Sequence, residues 1–274
     1  MGVGKSVRNV LGQLKNSGNL IGSFPSESNG LRNAARPAAA EYMVTENYHR
    51  PHLLEFRSYN PTLTRSDFIG LLPQSKFRVA GKTDESDVNF DVLKVRDPKY
   101  FQFKDKYQLI FPDQKNMKKF ARSVAYSRIE GARAEFTPST LRHPELRCAK
   151  YVRNLEAAFE SGSRYFELLK TAKDPVHKLE SSLETLRQTA APLEAKSLLV
   201  WNFPADMPPY KVMDRFWLYD IKHCFKLYWD VATGRTLTFM AFNSEEDCVS
   251  FSRNFHGVFF RDTDDCRLLV EALT

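Results

Sequence analysis

The sequence contains no apolar run of the roughly 18–20 residues that a membrane-spanning helix requires, and so predicts no transmembrane segment. It has only four cysteines in 274 residues, Cys148, Cys224, Cys248 and Cys266, and no two of them form a C-x-x-C pair. That spacing excludes a zinc ribbon, argues against a disulfide framework and points to a reducing compartment. Six histidines, at positions 49, 52, 143, 177, 223 and 256, gather into no tight metal-ligand cluster. No G-x-S-x-G nucleophile motif is present. Gly4-Lys5-Ser6 looks like the end of a phosphate-binding loop, but the first glycine of that motif would precede residue 1 and no strand leads into it. No catalytic residue, metal ion or cofactor is expected.

What the chain does have is material for cores: 42% hydrophobic and 13% aromatic residues exclude a wholly disordered protein. The formal charge is +7, unevenly placed. Residues 51–140 carry sixteen basic and eleven acidic groups, whereas 196–274 carry nine and eleven. This is not a uniform polycation.

Residues 1–26 contain no acidic residue. Lys5, Arg8 and Lys15 fall between Val7, Val10, Leu11 and Leu14, which recur at helical spacing. An acid-poor amphipathic start without a continuous apolar core predicts a mitochondrial presequence rather than a secretory signal. A Ser-, Asn-, Ala- and Pro-rich connector follows, so 1–45 is expected to be a disordered presequence and connector.

Two later stretches repeat one order of elements. In 196–274 a short strand, Lys196–Phe203, stops at Pro204. A helix is predicted over Met207–Tyr219, a strand over Ile221–Trp229, a turn at Thr233-Gly234, and a strand over Arg235–Phe242. Ser244 then caps a helix that opens with Glu245, Glu246 and Asp247, where the helix dipole favours acids. A last strand covers Arg267–Ala272. The order is β-α-β-β-α-β. Residues 50–138 repeat it loosely, with a strand at Leu53–Tyr59, a helix capped by Thr64 and running through Asp67, Phe68, Leu71 and Leu72, strands at Phe90–Val95 and Tyr107–Phe111, a helix at Asn116–Tyr126 and a closing strand at Arg133–Phe136. Between them, 141–195 reads as a helical linker: Leu155, Phe159, Phe166 and Leu169 predict one helix, and Leu179, Leu183 and Leu186 a second. The predicted fold class is α+β, with two ferredoxin-like units of the RNA-recognition-motif type.

That reading rests on Arg235–Phe242, which fills the third-strand consensus with Arg235, Phe239, Met240 and Phe242 but has Leu237 where an aromatic is usual and Thr236 and Thr238 in place of its small residues. The first strand likewise offers Leu199 at a stacking position. Strand alternation places Leu198, Val200, Met240 and Phe242 toward the helices. It places Leu199, Trp201, Arg235, Leu237 and Phe239 on an open face, joined by Lys226 and Tyr228. Such a face would stack bases and hold phosphates, or serve a protein partner. In the first half the register stays open between Lys106 with Gln108 and Tyr107 with Leu109. Lys115, Lys118, Lys119 and Arg122, at i, i+3, i+4 and i+7, share one helical face; this stripe reads as a phosphate contact or a solvated surface.

The strings Arg57-Ser-Tyr-Asn-Pro61, Val95-Arg-Asp-Pro-Lys-Tyr-Phe-Gln-Phe-Lys-Asp105, Ser197-Leu-Leu-Val-Trp-Asn202 and Asn254-Phe-His-Gly257 give the chain a family likeness over most of 50–274. It resembles the family of budding-yeast mitochondrial translational activators of cytochrome c oxidase subunit three. The resemblance implies a non-enzymatic matrix protein, peripheral to the inner membrane. It implies action at the 5′ leader of the subunit-three mRNA with other activator proteins and the mitochondrial ribosome, and aid in excising a group I intron from the subunit-one transcript. In this picture Tyr151, Phe159 and Tyr165 of the linker would dock partner activators. The alternatives are a structural protein of the small mitochondrial ribosomal subunit and a protein-only adaptor.

Overall fold

Leu54 and Phe56 in His52–Arg57, and Tyr107, Leu109 and Phe111 in Phe103–Phe111, alternate along strands whose one face must be covered, and the first half is built on that need. The computed structural model describes residues 52–72, 89–139, 144–171, 182–230, 232–260 and 267–274. The presequence and connector expected over 1–45, with Leu179 and Cys266, lie outside the described residues. The first half runs β1 (His52–Arg57), α1 (Arg65–Ile69), β2 (Asp91–Arg96), β3 (Phe103–Phe111), α2 (Gln114–Ser123), β4 (Arg128–Ile129), β5 (Ala132–Arg133) and β6 (Phe136–Pro138). Its antiparallel sheet has the order β2-β3-β1-β6. Phe56, Tyr107, Leu109 and Phe111 pack under Phe68 and Phe120 of the two helices. The buried Tyr107 hydroxyl donates to the Asn60 carbonyl at 2.8 Å and accepts the Leu63 amide at 3.2 Å, and burial pushes its pKa up to about 12.

The expected closing strand over Arg133–Phe136 is corrected here. Arg133 belongs to a separate two-strand hairpin, and the strand that closes the sheet is Phe136–Pro138, paired with Leu54–Phe56. The hairpin turns through Glu130 and Gly131, at φ 52° and 81°. Two successive positive φ values are the mark of a type I′ turn, which glycine makes cheap.

Three helices follow: α3 (Pro144–Glu160), α4 (Gly162–Thr171) and α5 (Leu183–Ala195). The single helix expected to carry Leu155, Phe159, Phe166 and Leu169 is broken at Ser161, whose hydroxyl accepts the Arg164 amide at 3.1 Å and so starts α4 anew. The second half is β7 (Ser197–Trp201), α6 (Pro209–Arg215), β8 (Ile221–Asp230), β9 (Arg235–Phe242), α7 (Glu245–Phe255) and β10 (Leu269–Ala272). Its sheet order is β10-β7-β9-β8, so both sheets share the strand order of the βαββαβ fold. Leu198, Val200, Met240 and Phe242 pack under Val212, Phe216, Cys248 and Phe251, as alternation predicts. Ser244 caps α7 by accepting the Asp247 amide at 3.3 Å.

A third core lies on the other face of the second sheet. Leu199, Phe225, Leu237 and Phe239 are buried there beneath Tyr151, Leu155, Tyr165 and Leu186 of the helical layer and Phe101 from the loop between β2 and β3. Polar contacts reinforce the join. The buried Arg96 guanidinium donates through Nη1 to the Phe101 carbonyl at 2.9 Å and the Glu271 carboxylate at 3.0 Å. Through Nη2 it donates to the carbonyls of Ala272 at 3.1 Å and Leu273 at 2.7 Å. Asn154 reaches the Pro98 carbonyl at 2.7 Å, and Arg187 reaches Asp91 at 3.0 Å and the Val92 carbonyl at 2.6 Å.

Candidate nucleic-acid interface

Leu199, Trp201, Leu237 and Phe239 do share one sheet face, since cross-strand pairing sets Leu199 opposite Phe239 and Trp201 opposite Leu237. That face is not open, which corrects the expectation drawn from the sequence. Leu199, Leu237 and Phe239 are 0–1% exposed. The Phe101 ring sits 5.5 Å from the Phe239 ring and 5.6 Å from Tyr165, in the place a stacked base would take. Fully burying a large apolar side chain contributes about 1.5–3 kcal/mol, and uncovering this face would expose at least Phe101, Tyr165, Leu199, Leu237 and Phe239 together. A stacked base returns about 1–3 kcal/mol. The closed arrangement wins.

The loop that closes the face is the unusual string at 95–105. Asp97 organises it: its carboxylate accepts the amides of Lys99 at 2.8 Å and Tyr100 at 2.9 Å and pairs with Lys104 at 2.7 Å. Burial would raise the Asp97 pKa, but these donors outweigh it and hold the carboxyl below its ordinary range. Phe101 is held at φ 60°, a backbone region that bulky residues avoid, so its insertion is imposed by its surroundings.

Three of the expected stacking and phosphate-binding residues, Trp201, Tyr228 and Arg235, remain half-buried at the rim of the covered face. Tyr228 there meets Tyr100 edge to face at 6.3 Å. Lys226 does not join them. A bulge between Lys226 and Tyr228 breaks the alternation, leaving Lys226 opposite Thr238 with its ammonium on the Ala205 carbonyl at 2.5 Å. Tyr151 and Tyr165, expected as docking residues, are spent inside the protein. Tyr151 is buried and donates to Glu194 at 2.6 Å, and the Tyr165 hydroxyl donates to the Lys99 carbonyl. Phe159 carries the Lys222 ammonium 4.2 Å above its ring.

In the first half the register is now fixed. Tyr107 and Leu109 face the helices, and Lys106 and Gln108 lie on the opposite face around Glu55. The Glu55 carboxylate accepts from Ser139 at 2.9 Å, Gln108 at 3.3 Å and Lys106 at 3.3 Å. Burial raises its pKa, and the three donors more than reverse that. A carboxylate at the centre of the face repels phosphates and makes it a poor surface for RNA.

The basic stripe stands as drawn. Lys115, Lys118, Lys119 and Arg122 are exposed on α2, while Phe120 is buried and Met117 and Ala121 pack against the same core. Asp113 caps the helix by accepting the Asn116 amide at 2.7 Å. The cations continue past the helix. Tyr126 is 89% exposed, the Arg133 guanidinium lies 5.7 Å from its ring centre, and Arg128 faces Arg133 across the hairpin. Residues 114–134 hold six cations and a single carboxylate, Glu130. The sequence reading missed Tyr126 because it carried the helix through it; the Glu130-Gly131 pair was the available turn signal. Among the described residues no group of three His, Cys, Asp or Glu side chains is placed to hold a metal ion, and no helix is long and apolar enough to cross a membrane.

Residues 50–152 match the family described as Protein PET54 N-terminal domain. The chain is 33% identical to Protein PET54 of Saccharomyces cerevisiae, over 98% of each chain. It is 32% identical to Protein PET54 of Saccharomyces bayanus, over 99% of each. Among solved structures, the RRM3 domain of Mip6 covers 29% of this chain and 93% of its own at 22% identity, with a TM-score of 0.26. The two RNA recognition domains of Drosophila melanogaster Sex-lethal cover 81% of this chain and 99% of their own at 11% identity, with a TM-score of 0.22.

Proposed function

The chain belongs to the PET54 family, and on that premise we propose that it is a non-enzymatic RNA-binding factor of the mitochondrial matrix. It promotes translation of the cytochrome c oxidase subunit three mRNA through its 5′ leader and assists excision of a group I intron from the subunit-one transcript. It works beside other activator proteins and the mitochondrial ribosome, peripheral to the inner membrane. The observation that carries the RNA contact is the exposed face of Lys115, Lys118, Lys119 and Arg122 on α2, four cations on one rigid element. Cations at this spacing follow a phosphate backbone and release its counterions, which makes binding steeply salt-dependent. RNA approaches through this helix and not through the covered second sheet.

The closure of that sheet also favours a second reading, an adaptor that binds proteins alone. Equilibrium binding of the 274-residue chain to the subunit-three leader and to an unrelated RNA, over a salt series, separates the two. Binding to the leader that weakens with salt, and that Lys118→Glu with Lys119→Glu lowers at least tenfold, supports the RNA reading. Binding that ignores salt and charge reversal, or no binding at all, favours the adaptor.

A further inference from the structure

Between Tyr126 and Arg133 the chain makes placements that add little to its own stability beyond one exposed cation–π contact, Arg133 over the Tyr126 ring. A tyrosine ring is 89% exposed, where burial contributes almost nothing. Arg128 and Arg133 stand directly opposite each other in the hairpin, a like-charge pair that disfavours the strand pairing it sits on. The hairpin is nonetheless held firmly. Ile129 and Ala134 are buried against the first core, the Ala134 amide donates to the Ser127 carbonyl at 2.9 Å, and the Ser127 hydroxyl donates to the Leu71 carbonyl at 2.9 Å. The turn residue Glu130 accepts from the Asn60 side chain, which engages the one carboxylate of the segment. A rigid mount that presents an exposed ring and two facing cations, four residues beyond the last cation of the α2 stripe, breaks local rules in one direction.

We propose that Tyr126, Arg128 and Arg133 form a contact for an unpaired base and its flanking phosphates in single-stranded RNA. An aromatic face next to guanidinium groups suits a stacked nucleobase, and the arginines match the charge of the backbone on either side. The ring can accept only a base that is free of a duplex stack, which sets single strands apart from helical RNA. This inference rests on the RNA-binding reading above and adds to it the element that grips a base, where α2 supplies only charge.

The test titrates the 274-residue chain, unsubstituted and as Tyr126→Ala, Tyr126→Phe, Arg128→Gln with Arg133→Gln, and Lys118→Glu with Lys119→Glu. The probes are fluorescent oligouridylate, an RNA duplex of equal length and, as competitor, polyglutamate. Tyr126→Ala is expected to weaken oligouridylate binding by about 5- to 150-fold with the salt slope unchanged. Tyr126→Phe keeps the affinity, and each arginine lost lowers the slope by about 0.7. Unaltered thermal melting shows the variants are folded. Oligouridylate affinity untouched by Tyr126→Ala, with the α2 charge reversal still damaging, overturns this inference and leaves the RNA-binding reading standing. Failure of the unsubstituted chain to bind either RNA overturns both. Polyglutamate competing as well as RNA identifies an acidic protein as the occupant and also overturns the inference.

Discussion

The ring of Phe101 lies 5.5 Å from the ring of Phe239, so a loop of the first half fills the stacking position of the second sheet. Phe101→Ala should therefore lower stability by about 3–5 kcal/mol, as emptying a core aromatic site does. Phe239→Ala should do much the same, and the double variant should cost less than the sum because the two rings share contacts. Denaturant unfolding measures all three. The RNA affinity of folded Phe239→Ala should equal that of the unsubstituted chain. A selective loss of RNA affinity in that variant would show that the sheet opens.

Arg96→Met should destabilise by about 3 kcal/mol, because it removes the cation facing the Glu271 carboxylate and strands three carbonyls. Glu271→Gln keeps a hydrogen-bond acceptor and should cost only about 1–2 kcal/mol. Equal costs in urea titrations would contradict the assignment of Arg96 as the hub.

Gly162→Ala would ordinarily strengthen a helix by up to about 1 kcal/mol. Here the added methyl carbon would sit 3.0 Å from Phe225 Cγ. Phe225 is buried and held between Tyr165 and Phe239, 5.5 and 5.4 Å away ring to ring, so any shift disturbs those ring contacts. The substitution should destabilise by about 1–3 kcal/mol, the cost of overpacking; a rise in melting temperature would count against this packing.

Burial pushes the thiol of Cys148 up to about 11 and those of Cys224 and Cys248 up to about 12. The unfolded chain ionises these groups near about pH 8.5. Their contribution is thus fully present below that pH and is lost as the pH rises toward 11–12, at up to about 1.4 kcal/mol per thiol per pH unit. Urea midpoints should fall between pH 8 and pH 10. An aromatic disulfide reagent at pH 8 should label these three residues only after unfolding.

Local pattern was the legible part. The span of β9 and the inward set Leu198, Val200, Met240 and Phe242 follow from alternation, and the α2 stripe from helical spacing. Alternation misplaces Lys226 because a bulge adds one residue to one strand, and nothing in the residue types marks it. Closure of the second sheet depends on Phe101, a partner distant in sequence, which periodicity cannot see. Its trace was Leu199 and Leu237, aliphatic side chains at positions where a stacking surface needs flat rings: such residues suit a covered face. Tyr126 was hidden by a boundary error, the least secure part of any reading of helical periodicity.

The clamp of Arg96 on Ala272 and Leu273 also sets a timetable for the nascent chain. Arg96 and Leu273 are 177 residues apart, so the first half leaves the ribosome long before its guanidinium can meet its last acceptors. Phe101 has no sheet to enter until Arg235–Phe242 has been made, and the buried cation stays incompletely bound for about thirty residues more. The first half must wait, partly formed and with apolar surface showing, until the segment that carries Ala272 and Leu273 has been made. Assembly with such long-range closure is slow and exposed to misassociation. A chain that stopped short of Ala272 would remain in that waiting state.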